Sequence, residues 1–453
     1  MVEPHVHIGF AKRDITPPAG LPMAGYSARE GVATGALDGI TARAMVIHDP
    51  QSGTRLVFVT ADLVAYSPDT IEAFRRRIQT EAGIAPDDVV LAVTHTHSGP
   101  SYGAMFAYFN GGLERESEAA LRWGEDLPDV LVDIVREAIA NAQPATLSFG
   151  STQVALATHR RLIDPLGEVR LAPNPDGIID PEVHVMHARA ASDGTTIGTL
   201  VNYACHPVVL CEDNLLYSGD FPAYLLASLE ADGGEAIYLN GACGNLNPKR
   251  RGDAAAARAH GEALADAVTA LVSGLEPSLA NPVTIATEDV AIPIRLPPRE
   301  AFEAYLAAAE QALAAHADTS NFEGLRLEAE VARAQRLLAK VYPRRRRLEH
   351  RIQGDTLLVR LQVARIGPAL FIALPGETFV EFALDLRREL ASPLLFVLGY
   401  TNEAIGYVPT RAAYDEGGYE VTSSHLAPGA GELLTTSALA TARHLLATGE
   451  RAG

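Results

Sequence analysis

Two histidines two positions apart, His95 and His97 in the run THTHSGP, follow directly on the apolar run DVVLAV. Residues two apart on a strand share a face, so both imidazoles are expected to leave the strand end together, where the ligands of α/β sheets sit. That pairing suits a metal site and outweighs a single packed histidine. His206 in NYACHPVVL closes a second β-type run before a proline. Alone it reads as structural; as a third strand-end imidazole it suits hydrolytic zinc, which commonly takes three protein ligands and keeps a position open for water. Glu377 in ALPGETF offers a carboxylate at a Pro-Gly turn, although an acid in the first turn of a helix is equally well explained by the exposed amides there. Tyr400 and Tyr407 in GYTNEAIGYVPT mark a further strand end, where tyrosines usually pack with a wet hydroxyl.

Competing chemistry is missing from the sequence. It contains no G-x-S-x-G nucleophile elbow, no H-E-x-x-H helix, no Walker loop and no G-x-G-x-x-G after a strand, which leaves metal hydrolysis. Three cysteines, Cys205, Cys211 and Cys243, make an odd count that cannot form a disulfide framework by itself and fits a reducing compartment. Cys205 and Cys243 are expected to be packed thiols, since no base is placed beside either.

The elements that must position these groups alternate. Val-, Ile- and Leu-rich runs such as AMVIH, RLVFVTADLV, DVVLAVTH and TIGTLVNYACHPVVL read as strands, and DTIEAFRRRIQTEAG and LPDVLVDIVREAIANAQ read as helices. The expected fold class is α/β or mixed α+β, with sheets covered by helices. Residues 298–350 break the pattern: EAFEAYLAAAEQALAAHA and LRLEAEVARAQRLLAKVY predict a helical hairpin inserted between strands, serving as a lid over the site or as an arm for a homo-oligomer. Strand character resumes in TLLVRLQVARI, ALFIALP and LLFVLGY, with a helix in TFVEFALDLRREL.

Composition narrows the partners. Of 453 residues 47% are apolar and 21% charged, as in ordinary globular proteins. The net charge of -19 disfavours nucleic acid and anionic membranes, so a small-molecule substrate is expected, without stable membrane anchoring. The start, MVEPHVHIGFAKRDITPP, lacks the basic and apolar regions of a signal peptide, which points to the cytoplasm.

Taken in order, DITPPAGLPMAGYS, THTHSGP, NYACHP, NGACGNLNP, LPGE and GYVPT resemble the catalytic domain of the neutral, non-lysosomal ceramidases over nearly the whole chain. The resemblance implies one catalytic domain over 1–453, with the 298–350 insertion inside it; the family's C-terminal immunoglobulin-like domain finds no match in the sequence. It implies zinc held by His95, His206, Glu377 and Tyr407, with His97 turned to the substrate. Arg160, with Arg161 behind it, matches a family arginine, and Tyr414 and Tyr419 match two further tyrosines. Asn247 stands where the family carries a serine, so a hydroxyl-centred mechanism has no residue here, whereas zinc-activated water needs none. The expected activity is zinc-dependent cleavage of an amide in a small soluble molecule other than ceramide, His97, Arg160, Tyr414 and Tyr419 supplying donors and Asn247 orienting substrate. Lactone or ester hydrolysis, a zinc-assisted lyase or isomerase, and a non-catalytic metal-dependent binding protein are the alternatives.

Overall fold

The computed structural model describes residues 6–103, 118–295, 299–316 and 348–448, with scattered positions between 323 and 335. Its centre is a thirteen-stranded sheet. In chain order the strands are β1 (Val6–Asp14), β2 (Thr41–His48), β3 (Arg55–Ala61), β4 (Val89–Val93), β5 (Gln143–Gln153), β6 (Glu182–Ala190), β7 (Thr196–Tyr203), β8 (Glu235–Asn240), β9 (Val283–Pro293), β10 (Ile352–Gln353), β11 (Thr356–Ile366), β12 (Ala369–Pro375) and β13 (Leu395–Thr401). They lie in the order β8-β7-β6-β5-β1-β2-β3-β4-β13-β12-β11-β9, and β10 pairs with β11. Three neighbouring pairs are parallel, β3 with β4, β7 with β8 and β12 with β13.

Helices cover one face of this sheet. α1 (Pro68–Ala82), α2 (Glu118–Ala140), α3 (Phe221–Glu230) and α4 (Ala254–Val272) pack on the half that runs from β8 to β4. The other half carries α6 (Val380–Leu390) and α7 (Ala430–Thr448), while α5 (Arg299–Ala314) falls within the segment expected to form a helical hairpin. The second arm lies largely outside the described residues. Local chemistry explains a boundary such as that of α1: Ser67 accepts from the Thr70 amide, Pro68 opens the first turn, and Gly83 at φ 66 closes the helix.

The sheet carries helices as expected, but among the described residues they lie on one face, and no helix covers the second. It packs against itself. Phe10, Phe58, Leu239, Phe371 and Phe396, drawn from both halves, share one buried cluster, and the Phe58 and Phe371 rings stand 5.4 Å apart. Burying each such ring stabilises the doubled sheet by about 1.5–3 kcal/mol. The result is a helix, sheet, sheet, helix stack in which strand ends from both halves meet. Asn202 at the end of β7 donates to Leu239 O of β8 at 2.8 Å and to Val397 O of β13 at 3.2 Å. Asn240 at the end of β8 donates to Thr94 O, just past β4, at 3.0 Å. No helix among the described residues is long and apolar enough to cross a membrane.

Candidate metal and catalytic site

The carboxyl ends of β4, β7, β8, β12 and β13 surround one point, and each delivers side chains to it. β4 stops at Val93, so His95 is in the loop beyond, at φ 68. The face-sharing argument for His95 and His97 therefore fails in its reason while its result stands: the turn brings His97 Nε2 to 3.3 Å from His95 Nε2. Likewise β7 ends at Tyr203, short of the expected 196–210 run, and His206 lies in the following loop, fully buried. Left-handed backbone recurs here at Asp220, Tyr400 and Asn402 as well as His95. Such conformations cost about 1–2 kcal/mol per residue and persist where surrounding structure fixes them, often at functional sites.

Carbonyl oxygens only accept, so the hydrogen bonds of the two buried imidazoles fix their tautomers. His95 Nδ1 donates to Val64 O at 2.6 Å, and His206 Nδ1 donates to Cys243 O at 2.7 Å. In the neutral rings both Nε2 atoms therefore present lone pairs, the orientation that backbone carbonyls impose on metal-binding histidines. Burial, then the Arg160 guanidinium, lowers the His206 pKa to about 4. Burial, with the two other imidazoles, puts His97 well below its usual value.

Glu377 faces these lone pairs. Its Oε2 is 3.5 Å from His95 Nε2 and 3.4 Å from His206 Nε2, and it is buried without a hydrogen-bond partner. Burial opposes its ionisation, yet when the facing His95 and His206 rings carry protons they hold it well below the ordinary carboxylate range. The donor atoms of His95, His97 and His206 all lie within 4.8 Å of one another. A tetrahedral zinc with bonds of about 2.0–2.2 Å separates its ligand atoms by about 3.4 Å. The observed spacings match, and a cation would satisfy the orphaned oxygen. Tyr407 joins from the side: residues 377–378 and 407–408 form a short parallel pair with Glu377 opposite Tyr407.

A second ring of groups surrounds the donors. Arg160 donates from Nη2 to the Tyr407 hydroxyl and from Nη1 to Asn247 Oδ1, both at 3.1 Å, and its Nη1 is 3.5 Å from His206 Nε2. Burial opposes its charge, but Tyr407, Glu420 and Glu377 raise its pKa well above the usual value. Tyr419, half-exposed, sets its ring 5.6 Å from that of Tyr407 at the rim. Tyr400 stacks on His95 at 4.1 Å and meets Cys243 Sγ at 3.1 Å, a closer role than the ordinary packing expected of it.

Tyr414 is not brought to the centre. Its hydroxyl donates to Leu426 O at 2.7 Å, and the ring lies against Arg295, behind the Tyr407 backbone. Burial pushes the Cys243 thiol up to about 12 and raises Cys205 well above its usual value, so both are packed, inert thiols, as expected. Sequence reasoning missed Glu420, whose carboxylate holds Arg160 and Arg161, and Gly25, on which His97 rests. Neither residue type carries a local signal; only their neighbours across the fold reveal them.

The pattern of the family described as "Neutral/alkaline non-lysosomal ceramidase, N-terminal" matches residues 6–244. The neutral ceramidase of Pseudomonas aeruginosa is 30% identical over 249 residues, 53% of this chain and 36% of that protein. The neutral ceramidase of Mycobacterium tuberculosis is 25% identical over 479 residues, 91% of this chain and 73% of that one. The crystal structure of the P. aeruginosa neutral ceramidase superposes with a TM-score of 0.75 at 22% identity, covering 100% of this chain and 76% of that one. A ceramidase complexed with C2 gives 0.76 at the same identity. The structural likeness speaks to the fold, and the first of the sequence relatives is matched over little more than a third of its length.

Proposed function

The chain belongs to the neutral/alkaline non-lysosomal ceramidase family, and from that premise we propose that it is a zinc-dependent hydrolase of an amide C–N bond. The convergence of His95 and His206 lone pairs on the orphaned Glu377 oxygen carries this reading, with Tyr407 as fourth ligand. Zinc held there would lower the pKa of a water toward about 7 and polarise a carbonyl. The protein's own groups do the rest. His97, kept neutral, and Arg160, kept cationic, surround the position where negative charge develops on the acyl oxygen. Tyr419 closes the rim as a further donor. Asn247, its oxygen committed to Arg160, has its amide N–H groups left to orient substrate.

The names of the relatives favour a lipid amide, and we take an N-acyl amide of the ceramide class as the substrate. The serine-to-asparagine change at Asn247 supports water, rather than a side chain, as the nucleophile. Elemental analysis should find near-stoichiometric zinc in the wild type and none in the His95→Ala, His206→Ala double variant. Turnover of short-chain ceramide in ¹⁸O-labelled water should place one solvent oxygen in the released acid. Wild-type protein that neither holds nor gains zinc, or product free of solvent oxygen, would overturn the proposal. Turnover of soluble N-acyl amides but not ceramide would restrict it to the substrate class expected from the sequence.

A further inference from the structure

Arg160 and Arg161 set two guanidinium groups side by side in the interior, 5% and 4% exposed. Their shared counter-charge comes from the far end of the chain. Glu420, 1% exposed, accepts from Arg160 Nε through Oε1 at 2.8 Å and from Arg161 Nη1 through Oε2 at 2.9 Å. The turn that leads into Glu420 is locked to the strand Ala157–Ile163 that carries both arginines: Arg161 Nη2 donates to Glu416 Oε2 and to Gly417 O, both at 2.9 Å. Gly418, at φ 92, has no room for a side chain, since a Cβ there would stand 2.7 Å from Val169 and 3.1 Å from Arg161 Nη1.

A guanidinium is a rigid planar fork, so holding Nε dictates where both Nη atoms point. In Arg160 they point to Asn247 and Tyr407, the group proposed to orient substrate and the proposed fourth ligand. We propose that Glu420 is the positioning residue of this site, acting through Arg160 to hold the Asn247 amide and the Tyr407 phenol in working geometry. The inference rests on the amide-hydrolase reading. Without Glu420 the one directly paired carboxylate left among the described residues is Glu416, whose side chain is 42% exposed and reaches Arg161 alone, while Glu377 acts on Arg160 only from a distance. Arg160 then has no anchor at Nε, and its fork is free to turn.

The test is a double-mutant cycle, Glu420→Gln with and without Arg160→Met, on the zinc-loaded protein. It reads kcat and KM on a short-chain ceramide, together with the visible spectrum of the cobalt-substituted forms. Glu420→Gln should lower kcat about 100-fold, the scale of a misplacement of about 1 Å, with KM changed less than about 3-fold. The cobalt bands should shift as Tyr407 loses its bond from Arg160. In the Arg160→Met background the same change should cost less than about 2-fold, because a residue that acts through another has nothing left to lose. Glu420→Asp, which keeps the charge on a shorter arm, should recover part of the loss, and it carries the cycle if the glutamine variant does not fold. Equal losses in both backgrounds, or an unshifted cobalt spectrum with unchanged kcat, would overturn the inference. Wild-type protein without zinc or amide turnover would instead sink the functional reading beneath it.

Discussion

Glu377→Gln should stabilise the metal-free protein and lose that advantage when zinc is bound. In the metal-free protein with both rings neutral, the carboxylate oxygen faces two Nε2 lone pairs at 3.4 and 3.5 Å with no donor. An unsatisfied buried acceptor costs about 1–3 kcal/mol, more when charged. A glutamine amide can donate to those lone pairs, so the metal-free variant should be more stable by about that amount. At about 2.1 cal/mol/K per residue the unfolding entropy of 453 residues is about 1 kcal/mol/K, so Tm should rise about 1–3 °C. With zinc that advantage is cancelled, and it turns into a deficit when the metal-free gain is below about 2.7 kcal/mol. Site energies of about 10–16 kcal/mol over four ligands make each worth about 3 kcal/mol, or about two decades of Kd. Zinc at about 1,000 times the wild-type Kd stabilises wild type by about 4 kcal/mol, while a hundredfold weaker variant gains only about 1.4 kcal/mol. Differential scanning fluorimetry with chelator and with buffered zinc reads both. If the variant lowers Tm equally in the two conditions, the carboxylate is a structural group and the metal assignment of Glu377 fails.

Three other outcomes are expected. Gly25→Ala forces a side chain at φ 100 to within 2.4 Å of the His97 ring, so kcat should fall about 100-fold; zinc content by mass spectrometry should stay the same, and loss of zinc would make His97 a ligand. Cys243→Ala should keep kcat within about 3-fold, and iodoacetamide should not inactivate the wild type, because only the thiolate attacks and this thiol is pushed up to about 12. His260, buried against Phe221, has a pKa lowered by burial from 6.5 to about 4. Between those values the unfolded chain binds more protons, so stability falls as pH drops below 6.5, by about 2 kcal/mol at pH 5 from this residue. Urea midpoints of His260→Leu and wild type at pH 7.5 and pH 5 should show that part of the acid loss removed; an equal loss in both would refute the assignment.

What the sequence by itself determined was local chemistry and period. Apolar runs such as VVLAV and ALFIALP declared their strands, Ser67-Pro68 and Gly83 bounded α1, and the order THTHSGP, NYACHP, LPGE, GYVPT carried the family and the proposed donor residues. Each of those signals is written within a dozen residues. The sheet that covers its own second face was not legible, because either half alone reads as strands awaiting helices. Nor was the reason the histidines converge, since a strand that ends at Val93 and a left-handed His95 follow from hydrogen bonds to Leu63 and Val64 in the loop after β3. Glu420 shows the limit most plainly. A glutamate in a short helix looks solvated in any window of sequence, and only the chain's return across 260 positions places it between two buried arginines. Long-range pairing of charge has no local period to read, so the tertiary structure alone decides it.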